Sequence, residues 1–316
     1  MEHQILTVSS PPHIYGRDTI ARRMGDVLIA LAPACLFGVY HYGLRAFFTV
    51  ALSILSAVVI EALYLKVAGK KAATHDLSAM VTGLLLAFNL PPDVPFWLPV
   101  IGSFFAIVAV KQLFGGLGSN LVNPALAARA FLLASFPLHM TSWALPDAAT
   151  SATYLAIAKA DPGFIPQGSD YMALLFGKVG GCIGETSAVA LILGGVYLLV
   201  RKVINWRIPA CYIVSFMVFS LLFGRGAPYA VYPLFEVLSG GLLMGAFFMA
   251  TDYATSPISP GGKIIMGVGC GFLTVMIRFY SGYPEGVSYA ILIMNLFVPL
   301  IDAHVRPRVY GKGRRV

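Results

Sequence analysis

Charge is what this chain has least of. Only 11% of its 316 residues are Asp, Glu, Lys or Arg, and 58% are hydrophobic, whereas a soluble domain carries about 25% charged residues. That balance excludes an ordinary water-soluble domain and implies an integral membrane protein before any segment is located. Cysteine is scarce as well. Cys35, Cys182, Cys211 and Cys270 are scattered with no C-x-x-C pair, so neither a disulfide framework nor a metal cluster held by this chain is supported. They read as small apolar packing residues. The six histidines show no ligand spacing. The polar N-terminal segment ends in Arg22-Arg23 ahead of an apolar run without a cleavage site. It reads as the flank of a first helix, not as an export signal.

What the chain has in abundance is apolar runs near the roughly 20 residues that a spanning helix needs. Ten stand out, at 24–42, 44–67, 77–90, 96–114, 123–136, 183–203, 208–223, 234–250, 264–280 and 287–301. The net charge of +8 then reads as orientation, not as nucleic-acid affinity. With both termini cytoplasmic, sixteen of the 22 Lys and Arg, Lys111 among them, face the cytoplasm. Five lie outside (Arg45, Lys159, Lys178, Arg225 and Arg278), and Arg129 falls within a span. That is a strong positive-inside bias.

The two halves echo each other. Leu77-Ser78 with Gly83 resembles Leu238-Ser239 with Gly245, and Lys111-Gln-Leu-Phe-Gly-Gly116 resembles Arg278-Phe-Tyr-Ser-Gly-Tyr283. Five spans per half is an odd number, so the second copy is expected to be inverted. The expected fold is all-α, with about ten transmembrane helices in two inverted five-helix repeats. Residues 1–137 hold the first repeat, 138–182 an external loop, 183–305 the second repeat and 306–316 a basic tail. The short third span and its counterpart ending at Ala250 read either as tilted packing helices bent near their ends or as pointing to a cavity between the halves, lined by Asn89, Asn120, Asn123, Thr251 and Asp252. Broken helix ends are tolerated in a membrane only where protein, water or a ligand satisfies them. The competing reading is that Asp252 merely caps a helix. Glu61 is expected to snorkel to the interface, and Arg129 to face the bundle or a cofactor's phosphate or to reach the interface, where a structural ion pair fits as well as a functional one.

The long connection at 138–182 contains Asp147-Ala-Ala-Thr-Ser-Ala-Thr153, hydroxyls flanked by residues too small to block a modifying enzyme. On composition alone an ordinary solvated Ser/Thr loop fits as well. Gly184-Glu-Thr-Ser187 is a rival hydroxyl site, better read as a capped helix start.

Several stretches together resemble one family. They are Leu77 to Pro92, Lys111 to Asn120 with Asn123-Pro124-Ala125, and Phe136 to Trp143. Gly245-Ala-Phe-Phe-Met-Ala-Thr-Asp252 and Pro299-Leu-Ile-Asp302 running into Arg306 to Gly311 complete the set. The chain is similar to the RnfD family, membrane subunits of the Rnf-type ion-translocating electron-transport complexes. That family is homologous to the NqrB subunit of the sodium-pumping NADH:quinone reductase. The resemblance implies FMN joined by a phosphoester to Thr153, with Asp147, Thr150 and Ala152 filling the motif. Thr150 stands where Ser is commoner, and Tyr154 where a Pro or small residue is frequent. It further implies a fold like that of urea and ammonium channels and a complex passing electrons between ferredoxin and NAD, coupled to Na+ or H+ transport. A flavin transferase would mature the chain, other subunits would include a second flavin carrier, and riboflavin would sit non-covalently near the cavity. The chain has no Gly-rich nucleotide loop of its own, so NAD is expected to bind elsewhere. Two other classes share the pattern of spans: a solute channel without redox chemistry, and a scaffold whose flavin site is vestigial.

Overall fold

The computed structural model describes residues 19–69, 76–142, 153–160, 166–177, 180–223, 232–282 and 285–305. Helix α1 (Ile20–Val67) opens at Thr19, whose hydroxyl accepts the Arg22 amide at 3.3 Å. It breaks at Gly43, where φ is 73° and ψ −160°. A residue with a β-carbon is strained there, so the helix breaks where the two apolar runs were expected to meet.

Helix α2 (Ser78–Phe88) is entered through Leu77 in a left-handed conformation (φ 61°) and stops at Asn89, before Pro91-Pro92. Its 11 residues rise only about 16 Å. Helix α3 (Trp97–Phe104) runs directly into a π-helical turn, Phe105–Gln112. Helix α4 (Pro124–Ser135) begins with Asn123 as cap and Pro124 at the first position, a favoured helix start. Three short helices follow, α5 (Pro137–Met140), α6 (Tyr154–Ala160) and α7 (Gly168–Phe176).

A 3₁₀ turn, Ile183–Glu185, leads into α8 (Ala188–Val200). Ser187 caps it by accepting the Ala190 amide at 3.3 Å, so the Gly184–Ser187 stretch is a helix start, as read from the sequence. Then come α9 (Arg207–Phe223), α10 (Tyr232–Leu238) and α11 (Leu242–Met244), which continues as a second π turn, Gly245–Met249. Helices α12 (Pro260–Tyr280) and α13 (Val287–His304) complete the order. The continuous helix expected at 234–250 is therefore two pieces. Gly240 and Gly241 (φ 66° and 68°) separate them.

Among the described residues every regular element is helical. Helices α1, α12 and α13 are long and apolar enough to cross a membrane, and five further apolar helices are shorter. Large side chains such as Leu36, Val200 and Leu222 point outward, around a core that includes Leu31, Phe88, Leu126, Tyr212 and Phe216. Small residues let backbones approach, as they do in membrane bundles. A β-carbon on Gly194 of α8 would lie 2.2 Å from the Ala30 carbonyl oxygen of α1. This packing is a membrane-protein core, and it holds two polar regions.

Candidate functional site

The first polar region grows from the break between α10 and α11. Helix ends leave carbonyls without partners, and here one guanidinium takes up three of them. Arg278 Nη1 donates to the Glu236 carbonyl at 2.6 Å, and Nη2 to those of Ser239 and Gly240 at 3.2 Å each. Its Nε donates to the Glu285 carbonyl at 3.0 Å, and its flat face lies 4.9 Å from the Phe216 ring centre. Arg129 of α4 works from the other side. It donates to Asn89 Oδ1 at 2.8 Å and Cys182 Sγ at 3.6 Å, pairs with the Glu285 carboxylate and lies 4.0 Å from Glu185. The thiol of Cys182 donates in turn to the Asn89 carbonyl at 3.4 Å.

Thr153 joins this region. Its hydroxyl accepts the Ala156 amide at 3.3 Å, at the start of α6. With Glu185, Ser239, Gly240 and Glu285 it lines a recess of about 20 Å³. The Cys182 sulfur and one oxygen each of Glu185 and Glu285 lie within 4.8 Å of one another. One oxygen of each glutamate finds no hydrogen-bond partner among the described residues. Thr153 is 7% exposed, and an ester on its hydroxyl would keep oxygens for the Ala156 amide. The recess itself is too small for an isoalloxazine ring, so the ring of a flavin tethered at Thr153 would lie outside it. Asp147, Thr150 and Ala152, the rest of the motif, fall outside the described residues.

The second polar region surrounds a cavity of about 80 Å³ whose walls include Asn120, Asn123, Thr251, Asp252, Ser78 and Lys111. Four of the five residues expected to share a cavity therefore do so. Asn123 Oδ1 accepts the Ala125 and Leu126 amides at 3.0 and 3.3 Å, while its Nδ2 donates to the Met249 carbonyl at 3.3 Å. Thr251 donates to the Phe247 carbonyl at 2.7 Å. Asn120 Oδ1 is buried with no partner among the described residues. Asp252 accepts the Thr255 hydroxyl at 3.1 Å. Burial pushes its carboxyl above the ordinary value, opposed by that bond and by the Ala254 and Tyr253 amides. This volume holds a few waters or a small cation; the walls as they stand do not fit a riboflavin, whose sites run to about 300 Å³ or more.

Asn89 is the exception. It belongs to the first region through Arg129, and Nδ2 donates to the Leu85 carbonyl at 2.6 Å and approaches Met249 Sδ at 3.9 Å. Asn89 and Asn123 thus meet opposite parts of one methionine, its sulfur and its carbonyl. Three charges also depart from expectation. Glu61 does not snorkel: it is 3% exposed and takes Lys111 Nζ at 2.6 Å and Gln112 Nε2 at 2.7 Å. Lys111 and Arg278, expected as loop charges, are 1% and 3% exposed. A buried cation near a span end reads the same as a loop cation in a count of Lys and Arg. The signal that distinguishes them is the matching place of Lys111 and Arg278 in the two echoing stretches. Glu185 and Glu285 were missed as site residues. Glu285 sits between apolar runs where a solvated loop acid was the simpler reading.

With this geometry in view, comparison with known proteins decides the family. The NQR2, RnfD, RnfE family matches residues 7–311. The chain belongs to that family. It is 51% identical over 310 residues to the D subunit of the Na(+)-translocating ferredoxin:NAD(+) oxidoreductase complex of Acetobacterium woodii, covering 97% of this chain and 95% of the relative. It is 42% identical over 326 residues to the D subunit of the proton-translocating ferredoxin:NAD(+) oxidoreductase complex of Clostridium ljungdahlii, covering 99% and 98%. The D subunit of the ion-translocating oxidoreductase complex of Halorhodospira halophila is 38% identical over 339 residues, at 96% and 95% coverage. As a member of the NQR2, RnfD, RnfE family, the chain carries its two buried polar regions within the matched residues.

Proposed function

We propose that this chain is the RnfD membrane subunit of an Rnf-type ion-translocating ferredoxin:NAD oxidoreductase complex, bearing FMN esterified to Thr153. The observation that carries the reading is full-length similarity to D subunits of such complexes, 51% identical in the first case. Bound flavin supplies stepwise electron transfer; the polypeptide supplies position and electrostatics. Thr153 tethers the group, Arg278 and Arg129 place two buried cations against residues that line the recess, and Glu185 and Glu285 set its local charge. The chain is not catalytic alone, and its partners are the other Rnf subunits and a flavin transferase.

In this reading ten spans form two inverted repeats with both termini cytoplasmic and Thr153 on the external side. Two pairings support the repeat. Leu77 (φ 61°) leads into α2 beside Lys111, and Gly241 (φ 68°) leads into α11 beside Arg278. Na+ or H+ passes between the halves by way of the Asp252 cavity, whose amide and carboxylate oxygens are hard ligands. Riboflavin would need that cavity to widen.

Mass spectrometry of the complex purified from its own host tests the flavin. The chain should carry the mass of FMN on the Thr153 peptide and fluoresce on a denaturing gel. Thr153→Val should abolish both while Thr186→Val leaves them intact. A flavin band retained in Thr153→Val refutes the assignment.

A further inference from the structure

A basic groove lies at the junction of α8 and α9, closed on one side by the start of α1 and on the other by the start of α12. It measures about 850 Å³, and its walls include Arg23, Lys202, Asn205, Trp206, Tyr253 and Lys263, with no carboxylate among its lining residues. Asp26, three residues on from Arg23, is already held by Arg201 at 3.2 Å and by Tyr197 at 3.1 Å. Lys202 and Lys263 have no carboxylate within ion-pair distance among the described residues. Lys202 also holds a left-handed conformation (φ 54°), which a residue with a β-carbon seldom adopts. Arg23 fixes that turn by donating to the Lys202 carbonyl at 3.1 Å.

We infer that this groove binds the headgroup of an anionic phospholipid. Cations alone would suit any phosphate; the surroundings select a lipid. Each lysine has an outward-facing aliphatic residue close by in sequence, Val200 (75% exposed) for Lys202 and Ile264 (44% exposed) for Lys263. Phosphate oxygens can therefore meet the ammonium groups while acyl chains follow the aliphatic surface. Trp206, exposed beside Arg207 at 5.6 Å, is the residue type that settles at the headgroup level. Basic pockets between span ends are a recurrent site for anionic headgroups. Val203, Ile204 and Tyr253 are walls of both this groove and the Asp252 cavity, so a lipid seated here borders the second polar region. This inference stands whether or not Thr153 carries a flavin.

The test uses the assembled complex in phosphatidylcholine nanodiscs, titrated with a photoreactive phosphatidylglycerol, with crosslinks mapped by peptide mass spectrometry. Labelling should saturate on the 199–206 peptide. Lys202→Gln with Lys263→Gln should raise the half-saturating concentration roughly thirtyfold, at the usual worth of two cations near an anionic surface. Should the double variant fail to assemble, Lys263→Gln alone should raise it roughly fivefold. Soluble glycerophosphate should not compete. Unchanged labelling in the variants overturns the proposal. So does full competition by glycerophosphate, which would mark a free-phosphate site. A photocrosslinker at Asn205 that captures another subunit in native membranes, and no lipid, would also overturn it.

Discussion

Replacing Arg129 by methionine separates a structural linchpin from a spectator. The guanidinium is buried and pairs with Glu285, bonds Asn89 at 2.8 Å and touches Cys182 at 3.6 Å. Methionine keeps most of the volume and removes every donor. Breaking a buried ion pair from one side costs about 3–5 kcal/mol, because the remaining charge stays buried without its partner. Loss of the Asn89 bond adds about 1 kcal/mol. Side-chain exposures of 9% for Arg129 and 14% for Glu285 leave little water to screen the loss. Arg129→Met should therefore destabilise the chain by about 4–6 kcal/mol, read from unfolding in mixed micelles of increasing denaturing-detergent fraction. Adding Glu285→Gln neutralises the orphaned charge and should return about half of that. The reasoning fails if the single variant costs less than about 1 kcal/mol, or if the double variant is no more stable than the single.

Asp252→Asn should raise thermal stability near neutral pH. A carboxyl whose folded value lies above its unfolded one binds its proton more tightly in the native state, so the wild type gains stability as pH falls through the raised value. The advantage of the variant should shrink over that same interval; a constant difference across pH refutes the assignment. Gly194→Leu should cost about 1–3 kcal/mol by forcing α8 from α1, since even a β-carbon meets the Ala30 carbonyl at 2.2 Å; an unchanged unfolding midpoint would count against the packing. For topology, in a variant lacking the native cysteines, Ser151→Cys should react with an impermeant thiol reagent in intact cells and Gly313→Cys should not. The reverse pattern puts Thr153 on the wrong side. In the assembled complex, Asp252→Asn and Asn123→Ala should reduce ion transport more than electron transfer; unchanged transport in both rejects the cavity as the route.

Several helix boundaries were legible because apolar runs bounded by Gly43, Pro91-Pro92 and Asn123-Pro124 carry their own punctuation. The split of 234–250 was not. Ser239-Gly240-Gly241 looks like tolerated small residues inside an apolar run until Arg278, some forty positions away, is seen taking the freed carbonyls. The same limit explains Glu61, since nothing local announces that Lys111 will reach it. Asn120, Asn123, Thr251 and Asp252 come to one cavity because they lie in the segments around helix ends, where backbone groups need partners. Asn89 flanks such an end too, but its side chain bonds Arg129, and no pattern of sequence spacing gives a rotamer. Thr153 was marked by its motif; the two glutamates beside it come from a 3₁₀ turn and from the connection before α13, and meet only in the folded chain.

Met249 touches both polar regions, with Asn89 against its sulfur and Asn123 against its carbonyl. In a membrane, voltage falls mainly across whatever is dry and weakly polarisable. A recess and a cavity lined with charged and amide groups polarise readily, so the drop concentrates over the dry packing around Met249. A charge crossing that packing would then do a large share of the electrical work of crossing the bilayer, about 2.3 kcal/mol per 100 mV, over a small part of its thickness.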